Sequence, residues 1–214
     1  MKKSLLFLSI ALYSSLLTLA QGQSPVSLSV EGALGPIGSR STGHSLGLTA
    51  AYHLGRFSIG TGLTYFTAGR EQENRVLFPF NTYPHADYEE YVFRHLMLPL
   101  TLSYHAPMGR KVEFIPSAGL GISYNTGAKY RTQSSDSSFY KRDFSSAEFD
   151  RYFRKVSVWG QAAIRFSYKL SEPLALLAGV EARGMPTGIY KPEAGLPQEH
   201  TMTLFFSLGA RYRF

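Results

Sequence analysis

The stretch Val156-Ser-Val-Trp-Gly-Gln-Ala-Ala-Ile-Arg-Phe-Ser-Tyr-Lys-Leu170 has a period of two. Val156, Val158, Gly160, Ala162, Ile164, Phe166, Tyr168 and Leu170 share one face of an extended chain. Ser157, Trp159, Gln161, Ala163, Arg165, Ser167 and Lys169 share the other. That alternation describes a β-strand with one apolar and one largely polar side.

The C-terminal stretch repeats the pattern. Met202, Leu204, Phe206, Leu208, Ala210, Tyr212 and Phe214 alternate with Thr203, Phe205, Ser207, Gly209, Arg211 and Arg213. Six further segments follow suit: Val26–Leu34, Ser45–Leu54, Phe57–Gly69, Tyr91–His105, Val112–Thr126 and Leu174–Arg183. The eight strands are joined by connections that alternate in length. Gly55-Arg56, Ala106–Lys111 and Ser171–Pro173 are short, whereas Gly35–His44, Arg70–Glu90, Gly127–Lys155 and Gly184–His200 are longer. Bacterial barrels have short periplasmic turns and long extracellular loops, so both termini are expected in the periplasm. The predicted fold is all-β, an eight-stranded antiparallel up-and-down transmembrane β-barrel. Pro99 and Pro116 fall inside strands, and each predicts a bulge or local break, because proline has no N–H for the ladder.

Residues 1–20 read as an export signal: Lys2 and Lys3, an apolar run from Leu5 to Leu19, and a small residue at Ala20. Cleavage is expected between Ala20 and Gln21, with Gly22 as the alternative, leaving residues 21–214 as one barrel domain. The formal charge is +7, and removing Lys2 and Lys3 leaves +5. The basic residues are spread along strands of an exported chain, so nucleic acid is not the expected partner. Anionic lipid and lipopolysaccharide are. With no cysteine, disulfides, thiol nucleophiles and a lipoprotein anchor are excluded.

A soluble eight-stranded barrel shows the same alternation with its apolar face inside. The export signal, the alternating loop lengths and aromatics near strand ends favour the membrane. Those aromatics are Tyr52, Phe57, Tyr65, Tyr91, Phe93, Tyr104, Tyr124, Tyr168, Tyr212 and Phe214, and interfacial girdles use such rings. On this reading Leu208, Ile164 and Val180 face lipid. Glu31, His53, Glu113, Gln161, Arg165, Lys169, Glu181, Arg183, Arg211 and Arg213 face the lumen. Eight strands leave an interior that side chains fill, and buried charges must be paired. Glu31, Arg165 and Glu181 fall near mid-height, where an ionic network with Arg183 or Arg211 is expected as structural filling rather than an ion path.

Phe93-Arg-His-Leu-Met-Leu-Pro-Leu-Thr-Leu-Ser-Tyr104 and Gly109-Arg-Lys-Val-Glu-Phe-Ile-Pro-Ser-Ala-Gly-Leu-Gly-Ile-Ser-Tyr124 resemble the PorT-like outer-membrane β-barrel family of Bacteroidota. The shared features are an apolar strand with a central Pro-Leu, an aromatic end, a Lys-containing turn and a strand carrying Ala-Gly-x-Gly. The terminal Leu208-Gly-Ala-Arg-Tyr-Arg-Phe214 is similar to the strand that ends most outer-membrane barrels. The resemblance implies that Tyr212 and Phe214 serve as the signal read by the barrel assembly machinery. It also implies a link to protein secretion, the process in which the family's named member takes part. It carries no catalytic residue.

Chemistry is sparse. A lipid-modifying hydrolase needs Ser and His together at the outer rim; the candidates are His44 with Ser45, His95, and His200 with Thr201. His44, His85, Asp87 and His200 have no tight ligand spacing for a metal. Gly32-Ala-Leu-Gly-Pro-Ile-Gly38 enters a turn with no helix after it, so it is not a dinucleotide site. No catalytic, cofactor or metal site is expected. The long loops are richer. Residues 127–155 hold Tyr130, Phe139, Tyr140, Phe144, Phe149, Tyr152 and Phe153, and residues 70–90 hold Phe78, Phe80, Tyr83 and Tyr88. They suit either recognition of a protein or glycan partner or a cap over the barrel mouth. The expected function is a non-enzymatic envelope or interaction protein of the outer membrane. An outer-membrane lipid-modifying hydrolase and a narrow porin-like channel for small solutes are the alternatives.

Overall fold

A computed structural model describes residues 25–36, 42–73, 86–134, 139–143, 150–151, 153–186, 191 and 201–214. The proposed export signal lies outside them. The strands are β1 (Val26–Pro36), β2 (Thr42–Leu54), β3 (Phe57–Glu73), β4 (Ala86–Tyr104), β5 (Ala106–Pro107), β6 (Val112–Ser134), β7 (Phe139–Asp143), β8 (Val156–Lys169), β9 (Leu174–Met185) and β10 (Thr201–Arg213). The pairing order is β4-β3-β2-β1-β10-β9-β8-β6, and β6 returns to β4, so the sheet closes on itself. Every pairing is antiparallel. The eight long strands therefore form an up-and-down barrel, with the minor strands β5 and β7 paired onto β6.

The faces decide between the two barrel types. Leu208 is 71% exposed, Leu98 62% and Ile164 51%, while Arg183 and Glu181 are each 4% exposed. A soluble barrel has the reverse arrangement. The alternation along β8 runs as expected, with Trp159, Ala163 and Ser167 buried and Ile164, Phe166 and Tyr168 exposed. Tyr52, Phe57, Tyr168, Tyr212 and Phe214 lie on the outer surface towards the end that carries the chain termini and short turns. Phe93 does not join this belt. It is 1% exposed, because it shares strand parity with His95 and Met97 and points into the lumen.

β4 and β6 run well past their expected limits, to 19 and 23 residues. Their ladder continues to Ala86↔Ser134. Alternating hydrophobicity marks only the part of a strand with one face against apolar surroundings. Backbone pairing has no such requirement, and so periodicity carries no sign of the extension.

Pro99 and Pro116 produce breaks rather than bulges. The β3–β4 ladder passes from Thr61↔Leu100 to Thr64↔Met97, skipping the pairs around Pro99 without a register shift. Thr61 Oγ1 donates to the Pro99 carbonyl at 2.9 Å instead. Opposite Pro116, pairing stops at Ser103↔Ser117 and resumes at Ala106↔Phe114, which separates β5 from β4. The register does shift at Arg94/His95, where Thr126 is the extra residue.

Two inward glycines allow the strands to approach. A Cβ on Gly62 would stand 2.0 Å from the Leu48 carbonyl oxygen, and one on Gly119 2.2 Å from that of Leu100. No side chain fits at such distances.

Candidate functional site in the barrel lumen

The lumen has three layers. At mid-height, Arg165 on β8 donates from Nε to Glu31 Oε2 on β1 at 2.7 Å and from Nη2 to Glu181 Oε2 on β9 at 3.0 Å. Its Nη1 donates to Ser117 Oγ at 2.9 Å. Glu181 also accepts from Arg183 Nε at 2.6 Å, and Arg183 Nη1 donates to Ser45 Oγ at 2.9 Å. Two carboxylates and two guanidiniums thus form one chain across the barrel. The geometry is what desolvated charges require: each is paired, and further donors are bonded to hydroxyls.

Arg211 is not part of this chain. It sits nearer the terminus end, where its Nη2 donates to Glu113 Oε2 at 2.7 Å and to Ser167 Oγ at 3.1 Å. Here the lumen holds a histidine pair that no sequence pattern singles out as a unit. The rings of His53 and His105 lie 4.9 Å apart. Ser58 Oγ is 2.9 Å from His105 Nε2, and Glu113 Oε2 is 3.5 Å from His105 Nδ1. Ser27 Oγ is 2.8 Å from His53 Nε2. Arg213 Nη2 approaches His53 Nδ1 at 3.2 Å. A guanidinium only donates, so His53 Nδ1 accepts and the ring is the Nε2–H tautomer, donating to Ser27. These contacts join strands far apart in sequence, and no spacing signal announces them.

Towards the long-loop end the lumen is closed by an apolar cluster. Phe66, Met97, Trp159, Phe205 and Phe153 are fully buried, with Phe93 and Met185 beside them. Phe66 meets Trp159 edge-on at 5.0 Å, and Phe93 meets Phe153 at 5.2 Å. These are favourable aromatic geometries. Phe153 comes from the long 127–155 connection, so at this residue the loop acts as a cap. The side chains of Tyr130, Phe139, Tyr140, Phe144, Phe149 and Tyr152 lie outside the described residues, as do those of Phe78, Phe80, Tyr83 and Tyr88. The guanidinium of Arg183 stands 4.8 Å from the Phe66 ring and 4.9 Å from that of Phe205, tying the apolar plug to the ionic layer. Trp159 Nε1 and Ser207 Oγ are buried without a hydrogen-bond partner.

The serine–histidine candidates for hydrolysis resolve differently. His44 is exposed, with its ring 5.8 Å from Tyr65, whereas its neighbour Ser45 is buried and bonded to Arg183. Adjacent strand residues point to opposite faces, so the two cannot act together. His95 is stacked on Phe66 at 5.0 Å inside the plug, 3.5 Å from Ser123 Oγ. His85 and His200 lie outside the described residues, as do the side chains of Asp87 and Thr201. Among the described residues no group of three or more His, Asp or Glu could hold a metal ion.

A cavity of about 90 Å³ runs from the ionic layer, where Glu31, Arg165 and Glu181 line it, down to Ser27, His53 and Ser58. A second, of about 210 Å³, lies at the terminus-end mouth between the short turns.

No family model matches the chain, and no curated protein matches it. Solved structures do. The chain is similar to the Neisserial surface protein A, at 15% identity over 91% of this chain and 100% of that one, with a TM-score of 0.52. It is also similar to the N-terminal β-barrel domain of Pseudomonas aeruginosa OprF, at 14% identity over 91% and 100%, TM-score 0.47. A major outer membrane protein from Thermus thermophilus matches at 15% identity over 88% and 99%, TM-score 0.47. The first of these likenesses supports the closed eight-stranded barrel fold.

Proposed function

We propose that this chain is a filled, non-enzymatic β-barrel of the Gram-negative outer membrane that serves as an envelope or interaction protein. The observation that carries this reading is the inverted barrel: an apolar outer surface around a lumen of paired charges and a closed aromatic layer. Only a hydrocarbon surrounding makes that arrangement stable. In this reading residues 1–20 are the export signal and residues 21–214 the mature barrel. Both termini and the short turns face the periplasm, and the long connections face outward. There, residues 70–90 and 127–155 are the segments that would meet a protein or glycan. Lipid and lipopolysaccharide surround the belt, and Tyr212 and Phe214 present the assembly signal. Their rings are exposed on the outer surface and 5.1 Å apart. The similarity of β4 and β6 to the PorT-like family makes protein secretion the process to examine first.

The test is fractionation combined with gel mobility. The mature protein should travel with the outer membrane and run faster on SDS gels unheated than boiled. Recovery in the soluble periplasm overturns the reading. A hydrolase is the second reading, because Ser58, His105 and Glu113 have the order of a nucleophile, base and orienting acid. They lie in the lumen at the terminus end, away from the outer rim where lipid A would be met, and Arg211 engages Glu113 more closely than His105 does.

A further inference from the structure

The 210 Å³ cavity at the terminus-end mouth has an unbalanced charge. Its cations are Arg110, Lys111, Lys169, Arg211 and Arg213, against the carboxylates Glu113 and Glu172. Both carboxylates are already engaged, Glu113 with Arg211 at 2.7 Å and Glu172 with Lys169 at 3.7 Å. Among the described residues, no carboxylate lies within ion-pair distance of Arg110, Lys111 or Arg213. The Arg213 guanidinium meets neutral His53, which takes one of its five N–H donors. Lys111 lines the cavity, and its ammonium stands 6.0 Å from the ring of Tyr168 on the adjoining outer surface. Ser167 and Ser171 add hydroxyl donors to the wall. The two short turns, 107–111 and 171–173, hold these groups around one concavity. Unlike the mid-height layer, this mouth gathers positive charge without neutralising it, and walls of low dielectric raise the local attraction for an anion.

We infer that this mouth is a binding site for a phosphate-type oxyanion, held by Arg213, Lys111 and Arg110. Three such cations exceed what a single carboxylate neutralises and suit a multiply charged group. The planar fork of Arg213 and the point charge of Lys111 are complementary donors for tetrahedral oxygens. The same chemistry is offered by a soluble phosphate compound and by the headgroup of an anionic phospholipid.

The experiment uses the chain refolded in zwitterionic detergent and titrated with inorganic pyrophosphate, with ionic strength held constant by chloride. A second arm compares thermal unfolding in phosphatidylglycerol and phosphatidylcholine vesicles. We expect a saturable rise in unfolding temperature. The doubly substituted Lys111→Gln, Arg213→Gln chain should bind at least roughly tenfold more weakly. Arg56→Gln, which removes a cation from the neighbouring turn outside the cavity, should bind like the wild type. A variant-sensitive response to pyrophosphate assigns a soluble ligand. A variant-sensitive response only in phosphatidylglycerol assigns the headgroup. No response in either arm, a response equal to the chloride control, or an equal response in the double variant overturns the site. Should the double variant not fold, Arg110→Gln with Lys111→Gln on the exposed turn replaces it under the same criteria.

Discussion

Arg165 Nε and Glu31 Oε2 meet at 2.7 Å across the lumen although 134 residues separate them in sequence. The same guanidinium reaches Glu181 at 3.0 Å, so one cation is shared by two carboxylates from different strands. Glu181 in turn holds Arg183. Its removal leaves Arg183 without a carboxylate and Arg165 with Glu31 alone.

Glu181→Gln should therefore destabilise the barrel by about 3–5 kcal/mol, the usual cost of stranding a buried charge. Glu31→Gln should cost less, since Arg165 retains Glu181. Urea unfolding in lipid vesicles measures both. Equal, small effects would mean that the chain of pairs contributes nothing to stability.

The outer face can be probed at Ile164, which is 51% exposed on β8. Ile164→Arg should cost roughly 2–4 kcal/mol if this position faces the bilayer midplane. A change below about 0.5 kcal/mol is the surface behaviour of a soluble protein and would refute the membrane assignment.

Conduction tests the closed lumen. The wild-type protein in planar bilayers should show no steady open channel, because Trp159, Phe66 and Phe205 fill the cross-section above the ionic layer. Trp159→Ala should lower stability by about 3–5 kcal/mol. Trp159→Phe should cost much less, since the indole N–H has no partner to lose. Persistent wild-type currents, with selectivity reset by Glu181→Gln at unchanged stability, would establish a channel instead.

The hydrolase reading makes its own demand. An activated Ser58 would be labelled by a fluorophosphonate, with Oγ bonding to phosphorus as fluoride leaves and His105 taking the proton. We expect no labelling of the folded protein. Labelling abolished by both Ser58→Ala and His105→Gln would establish the enzyme.

Gly62 and Gly119 supply a packing test. Gly62→Ala forces a methyl against the Leu48 carbonyl and should cost about 1–3 kcal/mol as overpacking. Gly55 lies in the open Gly55-Arg56 turn at φ +63°, where a methyl group would meet nothing within 4 Å, so any cost of Gly55→Ala is backbone strain alone. If Gly62→Ala left stability unchanged, the close strand approach would not hold in solution.

Alternation by itself determined the eight long strands and their two faces, but not the extensions of β4 and β6 or the minor strands β5 and β7. Strand pairing makes side-chain direction a function of parity, and the apolar set of β8 or β10 is complete within a single segment. Parity and strand direction also brought Glu31, Arg165 and Glu181 to one height, which is why that cluster was legible. Only the tertiary structure decided that Arg183 joins them while Arg211 turns to Glu113 and the His53–His105 pair. That choice depends on strand stagger around the closed barrel, and no local pattern encodes stagger. The same holds for Phe153, expected in a loop that recognises a partner or caps the mouth and placed by the tertiary structure in the plug. Phe93, assigned to the girdle for its place near a strand end, is inward by its parity with His95 and Met97. Whether the apolar face points outward was likewise decided only by the tertiary structure, with Leu208 and Ile164 on the outer surface and Glu181 and Arg183 inside, because a period of two is identical for a barrel in lipid and a barrel in water.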